Sequence, residues 1–289
     1  MARGGNVSVI ETVRMAVHGV RRLARRSDPF VVAAALTSYA AFGLIPLLAI
    51  GTRVSAGLLG RQRVLQAADG VARYVPGPLG LDHDARAFAR AAVGTSWWAV
   101  VVALLPVSLY AEGIVRSLER FSRARERSPR SLRGRVLTPL LVVFSVVALL
   151  LVAGPIRPLF GGLGTGTGPR LLGIFIAFNL LFFATFAAFL GVYRLFATTA
   201  LRRGPLAAGA FVAASWVSGQ LLGYTLALRL VHGFANAFGG YRPAAEVAAL
   251  SFLVYLENLV FVLGYLIALG LHERKEAPPS AEVRADVDD

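Results

Sequence analysis

The chain has no cysteine, a single lysine (Lys275) and four histidines among 289 residues. Without cysteine there is no disulfide, no thiolate nucleophile and no sulfur ligand for a metal. His18, His83, His232 and His272 are scattered, and no HxH or HExxH spacing occurs. A hydrolytic metal site has nothing to be built from, and a nuclease lacks convergent acids or histidines on the basic loops. Charge is also scarce: 16% of residues are charged and 56% are hydrophobic, where a soluble domain carries roughly a quarter charged residues. The surplus of apolar residues is what a bilayer demands. Arginine in place of lysine has two readings, a coding bias or guanidinium groups gripping lipid phosphates.

Six long apolar segments are present, approximately Phe30–Thr52, Thr95–Val115, Val136–Ile156, Leu171–Tyr193, Leu206–Leu228 and Val247–Leu271. Each is long enough to cross ~30 Å of hydrocarbon as a helix. Strict alternation over segments of about ten residues, the mark of a barrel strand, is missing. The expected fold class is therefore all-α: a polytopic membrane protein with six transmembrane helices. The first apolar segment opens with Asp28-Pro29, a helix cap followed by proline at the first helical position, and it is too long for a cleavable signal.

Counting basic residues orients the chain. Arg3, Arg14, Arg21, Arg22, Arg25 and Arg26 precede the first span, and eight arginines from Arg116 to Arg135 link the second to the third. Arg194, Arg202 and Arg203 follow the fourth, and Arg274, Lys275 and Arg284 follow the sixth. These regions hold twenty of the thirty basic residues and share one side. The positive-inside rule places both termini in the cytoplasm.

Three units result: a cytoplasmic N-terminal segment 1–29, a six-helix membrane domain 30–271, and an acidic tail 272–289 expected to be disordered. Val9, Val13, Val17, Val20 and Ala24 form a stripe expected to lie on the inner leaflet as an amphipathic helix. The outer loop 53–94 carries two short amphipathic patterns around "PGPLG", expected as helices forming a lid or a cap. "GGLGTGTGPR", 161–170, lacks the lysine and the strand-to-helix context of a phosphate loop and reads as a connector.

Polar residues inside the spans are the candidates for function. Glu257 lies mid-span in "FLVYLENLVFVLGY" with no basic residue three or four positions away. It is either a functional group or a protonated packing device. Glu246 lies eleven residues earlier on the same face, where an acid near the helix start suits the dipole. Asn258, Gln220, Tyr224, Tyr39, Pro46 and Asn179 complete the set that could line a substrate path. Arg21, Arg22, Arg25, Arg202 and Arg203 are the candidates for lipid headgroups. Glu112 and Arg116 have the spacing of an interfacial salt bridge. "GQLLG", 219–223, is a GxxxG pattern suited to internal packing or to a homo-oligomer. No metal or other cofactor and no nucleic-acid partner is expected. The partners expected are membrane lipids, with anionic headgroups at the cytoplasmic face.

"AAALTSYAAFGLIPLLAI" (33–50), "EGIVRSLERFSR" (112–123), "VYRLFATTALRRGPLAAGAFVAASW" (192–216) and "YRPAAEVAALSFLVYLENLVFVLGYLIAL" follow one another in an order that resembles the YihY/virulence factor BrkB family, once labelled ribonuclease BN-like. The resemblance covers roughly residues 10–272. It implies a six-helix inner-membrane protein and points to movement of lipids or other amphiphiles rather than to RNA cleavage. There are departures. Tyr241-Arg242-Pro243 stands where the family has Tyr-Gly-Ser, and Gly264-Tyr265-Leu266 where it has Gly-Ala-Glu. Glu257 stands where the family has a small or apolar residue, so the role of the family's terminal acid is not carried over.

From this the expected function is a non-enzymatic transporter or flippase of lipids or other amphiphiles. The alternative is a scaffold that organises envelope partners or lipids without moving them.

Overall fold

A computed structural model describes residues 21–25, 28–72, 81–121, 139, 167–196, 201–230 and 234–276. The predicted third span, the glycine-rich connector up to residue 166, most of the N-terminal amphipathic segment and the tail beyond residue 276 lie outside the described residues. Among the described residues there is no strand. The helices are α1 Pro29–Leu59, α2 Arg61–Ala72, α3 Leu81–Gly94, α4 Trp97–Phe121, α5 Thr167–Phe196, α6 Arg203–Leu230 and α7 Arg242–Glu276, with a 3₁₀ turn Phe234–Phe238 before α7.

The start of α1 follows from its sequence. The Asp28 carboxylate accepts a hydrogen bond from the Phe30 amide at 2.9 Å, and Pro29 occupies the first turn, where a missing N–H costs nothing. With 31 residues, α1 is about 46 Å long, longer than the hydrocarbon core. Its C-terminal end carries the helical hairpin α2–α3, in which Val64 and Val93 pack on Ala56 and Arg86 reaches Asp69 at 3.5 Å. The two outer-loop helices expected from sequence are thus present.

Among the described residues, four helices are long and apolar enough to cross a membrane: Pro29–Leu59, Trp97–Phe121, Leu171–Phe196 and Pro243–Glu273. The predicted fifth span is likewise a single helix, of 28 residues.

The helices do not pack in chain order. α4 lies on α1, α1 on α7, α7 on α6 and α6 on α5. The main core is confined to one end, where Leu23, Val32, Leu36, Leu118, Phe121, Phe196, Leu206, Phe261, Tyr265 and Leu269 meet. Exposed arginines of residues 21–25 and of the α6 start ring this end, together with Arg116 and Arg194. At the opposite end of α4, Trp97 and Trp98 are exposed, and Arg53 stacks on the Trp97 ring at 4.7 Å. Tyr241 is exposed just before α7. Exposed aromatics at one level and arginines at the other are the arrangement of two membrane–water boundaries.

Two seams bring backbones close. On the α6–α7 seam, a methyl added at Gly209 would overlap the Gly264 carbonyl and approach Ala268 Cβ at 2.8 Å. One added at Gly264 would meet Ala213 Cβ and the Tyr193 hydroxyl, each at 2.6 Å. On the α1–α4 seam the Tyr39 ring covers Gly113, and Tyr110 covers Gly43. In lipid, association rests on such close packing rather than on removal from water. Among the described residues, the GxxxG pair expected to pack, Gly219 and Gly223, has no neighbouring atom within 4 Å of either added methyl. The glycines that matter instead pair with alanines at the same spacing, 209/213 against 264/268.

Candidate membrane-embedded polar site

The seams fix which polar residues share a level. Along α6–α7, Gly209 faces Gly264 and Ala268, Ala213 faces Gly264, and Val217 clusters with Val260. Continuing that antiparallel register by one turn puts Gln220 at the level of Glu257. Along α1–α7, the Asn258 amide donates to the Thr37 hydroxyl at 3.1 Å, joining residues 221 positions apart. Along α1–α4, Tyr39 on Gly113 places Glu112 at nearly the same level. The polar layer so formed lies about 12–25 Å from the arginine-bearing helix ends, at 1.5 Å per residue.

Glu257 and Asn258 point to different neighbours because adjacent helical residues diverge by about 100°. Asn258 is buried against α1, whereas Glu257 continues the α6 stripe. Its Oε1 is buried with no hydrogen-bonding partner, and so is Nε2 of Gln220. The Ser218 hydroxyl, fully enclosed on the same helix, also has none.

Burial along α7 changes sharply at this level. Between Arg242 and Glu257, only Ala245 and Ala249 are buried among the described side chains. From Asn258 to His272 the only residues that are not buried are Leu259, Leu263, Ile267 and Leu271, a stripe recurring every fourth position. Inward of Glu257 the helix is therefore enclosed on all but one face, and outward of it the described neighbours leave most of it uncovered. The Tyr193 hydroxyl helps to seal the inner half, donating to the Phe261 carbonyl at 2.5 Å. Tyr193→Phe is expected to lose about 1 kcal/mol of stability. Thermal unfolding of the purified protein in detergent should show this as a modest drop in midpoint.

The remaining sequence candidates fall elsewhere. Tyr39 belongs to the α1–α4 seam, where it interacts with Arg116. Arg116 donates to Glu112 Oε1 at 2.9 Å, and Glu112 is only 7% exposed, with Oε2 lacking a partner. The pair expected at the interface is thus half inside the bundle, on the side of α1 away from Glu257. Pro46 lies within α1, half-buried, outward of this contact. Asn179 donates to the Phe175 carbonyl of its own helix at 2.8 Å. The side chain of Tyr224 lies outside the described residues. Glu246 is half-buried at the outer end of α7, but the helix starts at Arg242, so it sits in the second turn rather than the first.

Of the arginines, Arg21, Arg25 and Arg203 are exposed at the arginine-bearing end. Arg22 bonds Glu273 at 2.5 Å, tying the N-terminal helix to the end of α7. Beside it, Leu23 is buried in the core, so this end of the segment docks onto the bundle. The backbone amide of Arg202 donates to Nδ1 of His272 at 3.4 Å, with the Arg202 side chain exposed.

Of the partners in this layer, Gln220 was among the sequence candidates and Thr37 was not. The role of Thr37 depends on a contact with the far end of the chain. Glu112 was visible, but the burial that isolates it comes from Tyr39 and the α1 backbone. Among the described residues, no three His, Asp or Glu side chains group as metal ligands.

Neither the curated proteins nor the solved structures provide a match. The family model described as Virulence factor BrkB matches residues 21–288, nearly the whole sequence. Together with the apolar helices and the ordered motifs noted above, this match shows that the chain belongs to the virulence factor BrkB family.

Proposed function

We propose that this protein is a six-span, multi-pass transporter of lipids or other amphiphiles, with both termini on the arginine-rich cytoplasmic face of the plasma membrane. One observation carries the reading. A polar layer from α1, α6 and α7 lies at mid-depth where α7 passes from enclosed to uncovered. Polar side chains at this depth are costly in hydrocarbon and are placed there to meet a polar group in transit. The exposed arginines at the inner end suit the anionic headgroups of the cytoplasmic leaflet.

The test is a headgroup-accessibility assay in proteoliposomes. Fluorescent phosphatidylethanolamine, placed in the inner leaflet of phosphatidylethanolamine–phosphatidylglycerol vesicles, becomes reachable by an outside quencher when moved. Wild-type protein is expected to speed this at least tenfold over empty vesicles, and Glu257→Gln to remove most of the gain. A wild type that moves neither this probe nor a panel of other labelled lipids favours the scaffold reading. Normal movement by Glu257→Gln removes Glu257 from the path.

A further inference from the structure

Half-buried Glu257 differs from buried Glu112 in one respect. Glu112 has Arg116 bonded to one oxygen. Glu257 makes no ion pair among the described residues, and its buried Oε1 receives no donor. An ionised carboxylate would have this oxygen stripped of water without a cation or a hydrogen bond in return. A proton on the carboxyl removes the charge and with it the larger part of that cost.

The surrounding groups support the assignment. α6 presents Gln220 at this level, which carries no charge. α1 presents Thr37, already engaged by Asn258, and Ser38, whose hydroxyl donates to the Ala34 carbonyl of its own helix. The ionisable Tyr39, Glu112 and Arg116 lie together on the α4 side of α1. From α5, the Tyr193 hydroxyl is committed to the Phe261 carbonyl. On α7 itself, Tyr255 is half-buried nearby and Glu246 lies three turns outward.

We propose that Glu257 is a proton-binding site that couples the opening of the α6–α7 seam to proton release. In the arrangement seen here the carboxyl holds the proton. When the seam parts and water enters from the uncovered side, the proton passes from the carboxyl oxygen to water. The carboxylate left behind takes a hydrogen bond from the Gln220 amide, a buried donor that has no partner in the closed seam. Gln220 is thus a positioning residue that favours the ionised form. The coupling rests on the transport reading above; the proton site itself does not.

Infrared difference spectroscopy of the full chain in liposomes tests the site directly. Subtracting Glu257→Gln from wild type should leave a protonated-carboxyl band at neutral pH that fades as pH rises. Gln220→Leu removes the donor to the ionised form, so the band should persist to more alkaline pH. Dicyclohexylcarbodiimide, which attacks protonated buried carboxyls, should label Glu257 in preference to Glu112, with labelling falling as pH rises. A difference spectrum without that band at neutral pH overturns the proposal, even if lipid is moved. If the band is present but the labelled lipid does not move, the transport reading fails and the proton site stands. In active vesicles, an imposed proton gradient should alter the wild-type rate several-fold. A wild type indifferent to the gradient overturns the coupling.

Discussion

Gly264→Leu is expected to keep the α6–α7 seam from closing and to leave little folded, monodisperse protein. The added side chain would be driven into Ala213, into the Gly209 carbonyl and into the Tyr193 hydroxyl that seals the neighbouring turn. Two of these obstacles are backbone or a methyl fixed to it, and neither can rotate away. Overpacking a tight core costs about 1–3 kcal/mol when side chains can shift, and here the backbones must separate. A loss at or above the top of that range is the expected result. Gly219→Ala and Gly223→Ala provide the contrast, since nothing lies within 4 Å of either added methyl. Those two are expected to stay within about 0.5 kcal/mol of wild type. Fluorescence-detected size exclusion after heating in detergent measures all three. A Gly264→Leu protein as stable as the Gly219 variant would show that α6 and α7 do not meet as described.

Arg116→Met is expected to be nearly as damaging, by an electrostatic route. Glu112 is buried, and the guanidinium supplies the one hydrogen bond seen to its carboxylate. Removing it strands a carboxylate beside Tyr39 in the α1–α4 seam. Breaking a buried pair from one side costs about 3–5 kcal/mol; because Arg116 is largely exposed, about 2–4 kcal/mol is expected. The double variant Glu112→Leu/Arg116→Met removes both charges and is expected to regain most of the loss. A thermal-unfolding cycle of the four proteins measures the coupling. Equal destabilisation by the single and double variants would mean that Arg116 acts through its aliphatic stem, not its charge.

Much of the helical frame was legible because local chemistry carries it. Asp28-Pro29 announces a helix start without any knowledge of the rest of the chain, and the helix begins there. The two amphipathic stretches flanking "PGPLG" became α2 and α3 for the same reason. Pairing between helices was less legible, because spacing alone does not reveal which face meets which neighbour. GxxxG at 219–223 and the small residues at 209/213 have the same four-residue interval. What separates them is Gly264 and Ala268 on a helix that arrives later in the chain. The candidate site divides in the same way. Glu257 stood out by its isolation along the sequence, whereas its level with Gln220 depends on the α6–α7 register. The Glu112–Arg116 bond follows from a four-residue interval, but the cover that makes it costly to break is supplied by Tyr39.

The position of α7 between α1 and α6 has a consequence for how the molecule is made. The helix that joins the earlier pairs is made after all of them. Before it enters the membrane, α1 and α4 form one antiparallel hairpin and α5 and α6 another. Among the described residues these two hairpins share only a slight contact between α4 and α5. The α1–α7 and α6–α7 seams, the Thr37–Asn258 bond and the Arg22–Glu273 tie all form on its arrival. A chain cut between Leu230 and Arg242 would keep the α1–α4 and α5–α6 pairs and lose the helix that joins them.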